Sequence, residues 1–583
     1  MSESQTHPHR IPRQHGLDAL RAFAMLLGIA LHGALSFAGI PWIVQDLRPD
    51  GTFMLVFMAI HGFRMQLFIL LSGYFTMMLW RKRGMAALLK QRGLRVLLPC
   101  LIGLVTFIPL LGWVSMKAGE VSRQQDANRR NMAEKSELVE AIRKGDSEGI
   151  GRLLDAGANP NGNDPEFGAP VLTWAARYGD PKIIKQLLDK GAEVKARDRD
   201  GYTALHSAAF LGHYRAVEML VQSGADANAL GKQNDTPLDS TRADFGTTTY
   251  IANILRVPLR SEEELQGDRE ECRKLLSHHT REKPAANSAT EKGALQNGLA
   301  QARKGYAGWL SSEKFMMNVG GGREPFHLVL TPVFHHLWFL WFLCWLVLLF
   351  VVFIAIGGVM HRIFPGMAIP FRWVVSPLRW LWILPLTMLP QLFMGVFQPG
   401  FGPDTSVGLI PQPHVLFYYA VFFGFGVLYY DCDDRDGKLG QNWKWALPLS
   451  ILVVFPLGLM TVGNVVISGL LQVIYAWLVS IGCIGLFNRL LTRENKTVRY
   501  LSDSAYWLYL AHLPLIVWLQ VLVRDWDMAA WPKFLIICTL CTILLLISYQ
   551  YLVRYTVIGR ILNGPRMQPK LAEMPVADKG LGQ

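Results

Sequence analysis

Apolar residues fall into ten blocks of about 20 residues, the length that an α-helix needs to cross a hydrocarbon core about 30 Å thick. The blocks cover roughly residues 17–40, 54–80, 94–116, 333–356, 373–396, 414–430, 446–462, 465–487, 503–523 and 533–557. Polar residues fill the gaps, and the longest gap follows the third block. This pattern predicts an all-α polytopic membrane protein with about ten transmembrane helices.

The long polar gap contains an internal repeat. Leu172 recurs as Leu205 and Leu238 at intervals of 33 residues, and the strings LLDAGANPN, LLDKGAEVK and LVQSGADAN follow the same spacing. This spacing resembles the ankyrin repeat, whose units of two short helices stack into a solenoid. We therefore expect a soluble insertion at 117–332, with an α-solenoid of ankyrin repeats at about 134–278. Residues 279–325 are rich in Ala, Gly, Lys and Ser and are interpreted as a linker.

The insertion divides the apolar blocks into two membrane parts. Residues 1–116 form the N-terminal part with three helices, and residues 333–583 form the C-terminal part with seven helices and a polar tail. The gaps 81–93 and 488–502 are interpreted as short loops rich in Lys and Arg. Because positive loops stay in the cytoplasm, both termini are predicted to be cytoplasmic and the ankyrin region extracytoplasmic.

Composition agrees with a membrane protein, since 51% of the residues are hydrophobic and the mean hydropathy is +0.22. The net charge of +13 could indicate nucleic acid. Much of the excess lies in short loops between apolar blocks, so membrane lipid is the expected partner and nucleic acid is not. The seven Cys show neither a disulfide framework nor metal-ligand spacing. No bound cofactor and no metal are expected.

The first apolar block carries Asp18, Arg21 and His32. Arg21 and His32 are 11 residues apart, which on an α-helix is three turns plus about 20°, so they share one face about 16 Å apart along the axis. Ionisable groups at membrane depth usually face the protein interior or a wet cavity. We expect one polar groove, with Asp18 pairing Arg21. The alternative is an ion pair that locks helices, with His32 as a packing residue.

Arg92 and Arg95 lie three residues apart in the string KQRGLRVLLP. At this spacing both guanidinium groups lie on one face at the start of the third predicted helix. Two guanidinium groups side by side can bind the phosphates of an anionic molecule. The alternative is that they are ordinary positive flanking residues.

Several strings carry a family resemblance. GLDALRAFAMLLGIALH, HGFRMQLFILLSGYF and Arg92-x-x-Arg95 resemble the first three helices of the acyltransferase-3 family. FHHLWFLWFLCWL and the segment around Tyr509 and His512 resemble the branch named glucans biosynthesis protein C. The ankyrin insertion departs from the family pattern.

The resemblance implies a membrane-bound O-acyltransferase of the bacterial inner membrane. It would move a succinyl or acetyl group from cytoplasmic acyl-CoA to an extracytoplasmic glycan. On this view His32 and Arg21 are catalytic. The predicted substrate-binding residues are Asp18, Arg92, Arg95, His336 and His512. His61 and Arg64, on the second helix, are weaker candidates.

Two other classes stay open from the residues alone. Intramembrane Arg and His residues also fit a transporter or flippase of an acidic small molecule or lipid. A membrane-anchored interaction protein is the other class, with the ankyrin array as its working part and a protein as its partner. Ten helices with buried charges are more than a plain anchor needs.

Overall fold

The computed structural model describes residues 15–564, apart from 41, 133–136, 165–167, 199–200, 232–234, 256, 281–293, 318–324, 364–371, 398–399, 435 and 492–494. The chain divides into two compact units. One comprises Met1–Ser122 with Asn297–Gln583, and the other comprises Arg123–Gln296. We name them the membrane unit and the repeat unit. The sequence had placed the insertion at 117–332.

Four helices form the N-terminal part of the chain up to the repeats. They are α1 (His15–Leu35), α2 (Thr52–His61), α3 (Arg64–Arg92) and α4 (Leu98–Met132). A single π-helical turn, Gly93–Leu97, joins α3 to α4. The prediction of a loop at 81–93 is therefore wrong. The chain stays helical beyond a kink at Gly84, where φ is +76°. The reason is that the string MAALLKQR is rich in good helix formers.

The repeat unit consists of short helices joined by tight turns. They are α5 (Glu137–Lys144), α6 (Ser147–Asp155), α7 (Val171–Tyr178), α8 (Pro181–Asp189), α9 (Ala204–Phe210), α10 (Tyr214–Gln222), α11 (Pro237–Ser240), α12 (Phe245–Leu255) and α13 (Glu262–His279). The repeated glycines Gly157, Gly191 and Gly224 follow α6, α8 and α10 with φ of +95°, +85° and +85°. Glycine adopts this left-handed conformation without steric cost, which explains why the repeat keeps it there.

The second part of the membrane unit contains the remaining helices. They are α14 (Ala294–Leu310), α15 (Trp338–Ile363), α16 (Arg372–Val375), α17 (Trp380–Gln391), α18 (Pro413–Asp431), α19 (Trp443–Leu449), α20 (Phe455–Met460), α21 (Val465–Leu490), α22 (Lys496–Val523), α23 (Ala530–Ser548) and α24 (Val557–Asn563). Two residue pairs, Met316–Met317 and Phe326–His327, form a small antiparallel ladder.

The predicted number of ten spans is not confirmed. Within the described ranges, eight helical segments are long and apolar enough to cross a membrane. One of them, Thr52–Gln125, takes in both the second and the third predicted segments. The fifth predicted segment, 373–396, is broken: Pro377 starts a 3-10 turn, and α17 has only 12 residues with two internal prolines. Proline lacks the N–H that continues a helix.

Two further interpretations change. The predicted loop 488–502 is mostly helical, since α21 ends at Leu490 and α22 begins at Lys496, where Asn495 caps the first turn. The predicted linker 279–325 includes α14, whose Arg303 donates to the carbonyl oxygens of Leu392 and Gly395. Small and polar residues masked this helix in the sequence. Residues 281–293 and 318–324 of the predicted linker lie outside the described residues.

Backbone contacts position α3 in the membrane unit. A methyl group added at Gly73 would lie 2.0 Å from the carbonyl oxygen of Phe423, and one added at Gly426 would lie 1.9 Å from that of Leu70. These glycines let α3 and α18 approach closely, as small residues do between membrane helices. On its other side α3 contacts α1, which packs along α22.

Candidate active site

A cavity of about 580 Å³ lies among α1, α3, α15 and α22. Its wall carries five basic side chains and two carboxylates: Arg21, Lys82, Arg92, Arg95, Arg499, Asp18 and Asp503. The excess of positive charge favours an anionic ligand. Guanidinium groups suit phosphate in particular, because their planar N–H donors match its oxygens in pairs.

Arg21 and Arg92 are held by hydroxyl groups. Arg21 Nη2 donates to Ser502 Oγ at 3.2 Å and lies 3.9 Å from Asp18 Oδ1. Arg92 Nη2 donates to Thr76 Oγ1 at 2.6 Å. A guanidinium has five N–H donors, so both residues keep donors for a ligand after these contacts.

Arg95 lies on the π-helical turn Gly93–Leu97. Such turns insert an extra residue into a helix and are frequent at functional sites. This one places Arg95 on the cavity wall together with Arg92. The sequence predicted the shared face of the two arginines but not the π-helical turn.

Three helices present continuous stripes that begin in the cavity and extend beyond it. Positions three or four residues apart share a helix face. The stripe on α1 is Asp18, Arg21, Met25, Gly28 and His32. The stripe on α3 is Lys82, Leu79, Phe75, Ser72, Phe68 and Arg64. The stripe on α22 is Arg499, Ser502, Tyr506, Tyr509 and His512.

The cavity wall includes the first members of each stripe, up to Met25, Phe68 and Tyr506. The far ends meet at a pair of histidines, where His512 Nε2 lies 3.0 Å from His32 Nδ1. His336 lies beside the pair, with its ring centroid 5.8 Å from that of His512. The three stripes therefore connect the basic cavity with the histidines.

The hydrogen bonds of the pair determine where its protons lie. His32 Nδ1 is 2.9 Å from the carbonyl oxygen of Gly28, and His512 Nδ1 is 2.7 Å from that of Tyr509. A carbonyl oxygen only accepts, so each Nδ1 carries the hydrogen. In the neutral pair the one hydrogen on His32 Nδ1 is then shared between two acceptors, the carbonyl oxygen of Gly28 and His512 Nε2. His32 Nε2 is left as an unprotonated nitrogen, the form that a general base requires.

Comparison with known proteins places this arrangement in a family. The profile described as "Acyltransferase domain", of the acyltransferase-3 family, matches residues 14–117 and 293–550, which is more than half of the chain. The chain belongs to the acyltransferase-3 family. Three copies of the ankyrin repeat match residues 138–230. This acyltransferase-3 protein thus contains an acyltransferase domain with ankyrin repeats inserted in it, and the predicted enzyme class and repeats are confirmed.

Matches to individual proteins cover short segments. Glucans biosynthesis protein C of Salmonella paratyphi B is 41% identical over 100 residues, 17% of this chain and 25% of that protein. SH3 and multiple ankyrin repeat domains protein 1 of Homo sapiens is 38% identical over 105 residues, 18% of this chain and 5% of that protein. The chain thus matches a quarter or less of the length of these relatives. The solved ankyrin repeat domain of Bcl-3 is 34% identical, covering 20% of this chain and 50% of its own, with a TM-score of 0.18.

The predicted site residues of this acyltransferase-3 protein fall into two groups. Asp18, Arg21, Arg92 and Arg95 line the cavity. His32, His336 and His512 lie together at the far ends of the stripes. His336 Nε2 lies 3.1 Å from the carbonyl oxygen of Leu510, within the packed interior. The roles that the sequence proposes for these residues stay predictions.

Lys82 and Arg499 of the cavity wall were missed as site residues. In the sequence they counted only as positive flanking charges. A signal was present: Lys82 lies seven residues after Phe75, and Arg499 lies seven before Tyr506, which is two helical turns in each case. Because both segments were taken for loops, this helical spacing could not be applied to them.

Proposed function

We propose that this protein transfers an acyl group from acyl-CoA to a hydroxyl group of a glycan. The basic cavity holds the phosphates of the donor, and the stripes guide its pantetheine arm and thioester toward His32. The rise of about 16 Å from Arg21 to His32 gives an extended arm room to reach from one to the other. The single observation that carries this proposal is the continuity of the three stripes from the cavity to the histidine pair.

The chemistry follows from the unprotonated Nε2 of His32. The acceptor hydroxyl attacks the thioester carbonyl carbon, a C–O bond forms, and the hydroxyl proton moves to His32 Nε2. The carbonyl π electrons move to its oxygen and make an oxyanion. Collapse of this intermediate re-forms the carbonyl and breaks the C–S bond, and the thiolate takes the proton from the imidazolium. The products are the glycan ester and free CoA thiol.

Topology and acceptor belong to the same proposal. Arg81, Lys82 and Arg83 stand near the cavity end of α3, and the preference of positive residues for the cytoplasm would put the donor cavity on that side of the bacterial inner membrane. The histidine pair then lies deeper, where an extracytoplasmic acceptor meets the acyl group. The similarity to glucans biosynthesis protein C supports a glucan as acceptor. The proposed cargo is a succinyl or acetyl group, as the resemblance of the sequence to the family implies.

The ankyrin repeats would bind a protein. Stacked repeats bury one continuous core and leave an extended surface for a partner. We propose that this partner is extracytoplasmic, since α4 begins beside Arg95 of the donor cavity and is long enough to cross the membrane once before the repeats begin in the sequence. A reporter that is active only outside the cytoplasm, fused at Asn287, should therefore work. That position lies outside the described residues, and its labelling only from the cytoplasmic side would contradict this topology.

Purified full-length protein in liposomes tests the transferase. Succinyl-CoA and acetyl-CoA should each be tried with a glucan acceptor, while free thiol is measured and the glucan is weighed by mass spectrometry. Thiol release that depends on the glucan, together with an acylated product, is the expected result. Movement of an acidic solute or lipid across the membrane without thiol release would favour the transporter alternative and contradict the proposal.

A further inference from the structure

Arg64 is a cation at the far end of the α3 stripe that has almost no partner. Among the described residues, its one hydrogen bond joins Nη2 to the sulfur of Met65 at 3.4 Å. Its Nε is buried and has no hydrogen-bond partner, and no carboxylate pairs with the guanidinium anywhere in the described part of the chain. A thioether is a weak acceptor, so nearly the full donor capacity of this arginine is unused.

The guanidinium lies against the histidine pair. A methyl group added at Gly28 would come within 2.3 Å of Arg64 Nη1 and 3.9 Å of His512 Nε2. The carbonyl oxygen of the same Gly28 holds His32 Nδ1. Glycine at this position therefore provides the space in which the guanidinium reaches the face of α1 that carries His32.

The groups that face Arg64 cannot neutralise it. Those within electrostatic reach are the phenols of Tyr419 and Tyr509 and the imidazoles of His32, His61 and His512. A phenol is neutral near neutral pH and an imidazole is neutral or positive, so none of these groups supplies a counter-charge. Holding a cation at membrane depth without a counter-charge is costly, and such residues mark functional positions. Arg64 thus has the donors and the charge to stabilise negative charge that develops next to His32.

We propose that Arg64 is a catalytic residue that stabilises the oxyanion of the tetrahedral intermediate. This inference rests on the acyl transfer proposed above. The thioester carbonyl oxygen gains its charge when the acceptor oxygen bonds to the carbonyl carbon and its proton passes to His32. Arg64 donates hydrogen bonds to that oxygen until the C–S bond breaks. This interaction is stronger in the transition state than with the neutral thioester, so it acts on turnover rather than on donor affinity.

The test uses the full-length protein in liposomes and separates kcat from the KM for acyl-CoA. Arg64→Gln should lower kcat by roughly 10²–10³-fold, the usual cost of removing one oxyanion donor, with KM within about twofold. Arg64→Lys should recover part of kcat because it restores the charge without the planar fork.

The matched control is Arg81→Gln. Arg81 lies on the same helix and pairs with Asp431 at 2.7 Å, so its loss should leave both constants within about twofold.

Gly28→Ala provides a second route that keeps the arginine. The added methyl group displaces the Arg64 guanidinium, so kcat should fall while the KM for acyl-CoA stays unchanged. Wild-type kcat in Arg64→Gln would overturn the assignment, and so would a fall in kcat/KM that comes from KM alone. If Arg64→Gln does not fold, Gly28→Ala decides: lowered kcat supports the role and unchanged kcat overturns it. A wild-type protein that releases no thiol contradicts the transferase proposal itself, which distinguishes the two failures.

Discussion

Buried arginines occur in both units of the chain, and their surroundings differ. In the repeat unit, Arg269 is 0% exposed and its guanidinium is satisfied by the protein. Nε donates to the carbonyl oxygen of Phe210 at 2.9 Å, Nη1 to that of Ala243 at 2.7 Å, and Nη2 to Thr248 Oγ1 at 2.9 Å. In the membrane unit, the sulfur of Met65 is the one hydrogen-bond acceptor that the Arg64 guanidinium has among the described residues.

This difference in hydrogen-bond partners distinguishes an arginine with a structural role from one with a candidate functional role. Arg269 joins α13 to α9 and to the chain around α12 through hydrogen bonds from all three of its nitrogens, so its role is complete within the protein. Arg64, like Arg21 and Arg92 of the cavity wall, keeps donors beyond the contacts that the described chain makes with it. A buried cation that the protein satisfies is a structural element, whereas one that it leaves unsatisfied is a candidate for a ligand or a transition state.

The largest effect is expected at the histidine pair. His32→Gln keeps the bulk and hydrogen bonding of the side chain but cannot take a proton near neutral pH, so kcat should fall by about 10²–10⁴-fold. The measurement is thiol release from acyl-CoA by the full-length protein. His213→Gln is the matched control in the repeat unit, since His213 Nε2 also bonds to a backbone carbonyl, that of Arg177, at 2.9 Å. Near wild-type turnover in His32→Gln would make His32 a packing residue.

Arg269→Met should mainly affect stability. It removes the hydrogen bonds of a buried guanidinium to two partly buried carbonyl oxygens and to Thr248 Oγ1, which keeps its own bond to the carbonyl oxygen of Asp244. The backbone amides of α9 and α13 should therefore open more easily, by about 1–3 kcal/mol, in hydrogen exchange of the full-length protein. Arg215→Met on the exposed face of α10 is the control and should change little. Unchanged exchange in Arg269→Met would mean that local rearrangement satisfies these acceptors and that the comparison overstates its role.

The sequence could predict those features of the two units that follow from periodicity. The face that joins Arg21 to His32 follows from helical geometry because α1 is one uninterrupted helix. The repeat is visible because Leu172, Leu205 and Leu238 recur at a constant spacing. Both features depend on residues close in sequence or repeated at a fixed interval.

Contacts between distant segments could not be predicted in the same way. His32 and His512 are 480 residues apart, and their meeting depends on the packing of α1 against α22. The approach of Arg64 to Gly28 likewise depends on α3 packing against α1. No periodic pattern encodes which helices become neighbours. The continuous helix through 81–93 was missed for a different reason, since its basic residues are equally typical of a loop beside a membrane.

The cavity arginines should affect donor binding rather than turnover. Arg92→Gln removes charge-assisted hydrogen bonds to phosphate and should raise the KM for acyl-CoA by roughly tenfold, with a smaller change in kcat. Arg81→Gln serves again as the control because it removes the same charge outside the cavity wall. An unchanged KM in a folded Arg92→Gln protein would show that Arg92 only flanks the membrane. The unused donors of the cavity would then not indicate a ligand.

The smallest effect concerns the stability of the repeat unit as the pH changes. Buried histidines that are hydrogen-bonded within the protein should still make this stability depend on pH. Burial is the main cause that lowers the pKa of both His206 and His213 below the ordinary 6.5. The unfolded chain therefore binds more protons than the folded one as the pH falls below 6.5, and stability that is fully present above that value is lost toward lower pH. Hydrogen exchange of α9 and α10 should be followed in the full-length protein from about pH 8 to about pH 5. After correction for intrinsic exchange, these helices should open more easily at the acidic end.

The double variant His206→Gln, His213→Gln should have a flatter pH dependence, even if it opens more easily at every pH. An unchanged slope in that variant would assign the acid sensitivity to other groups of the repeats.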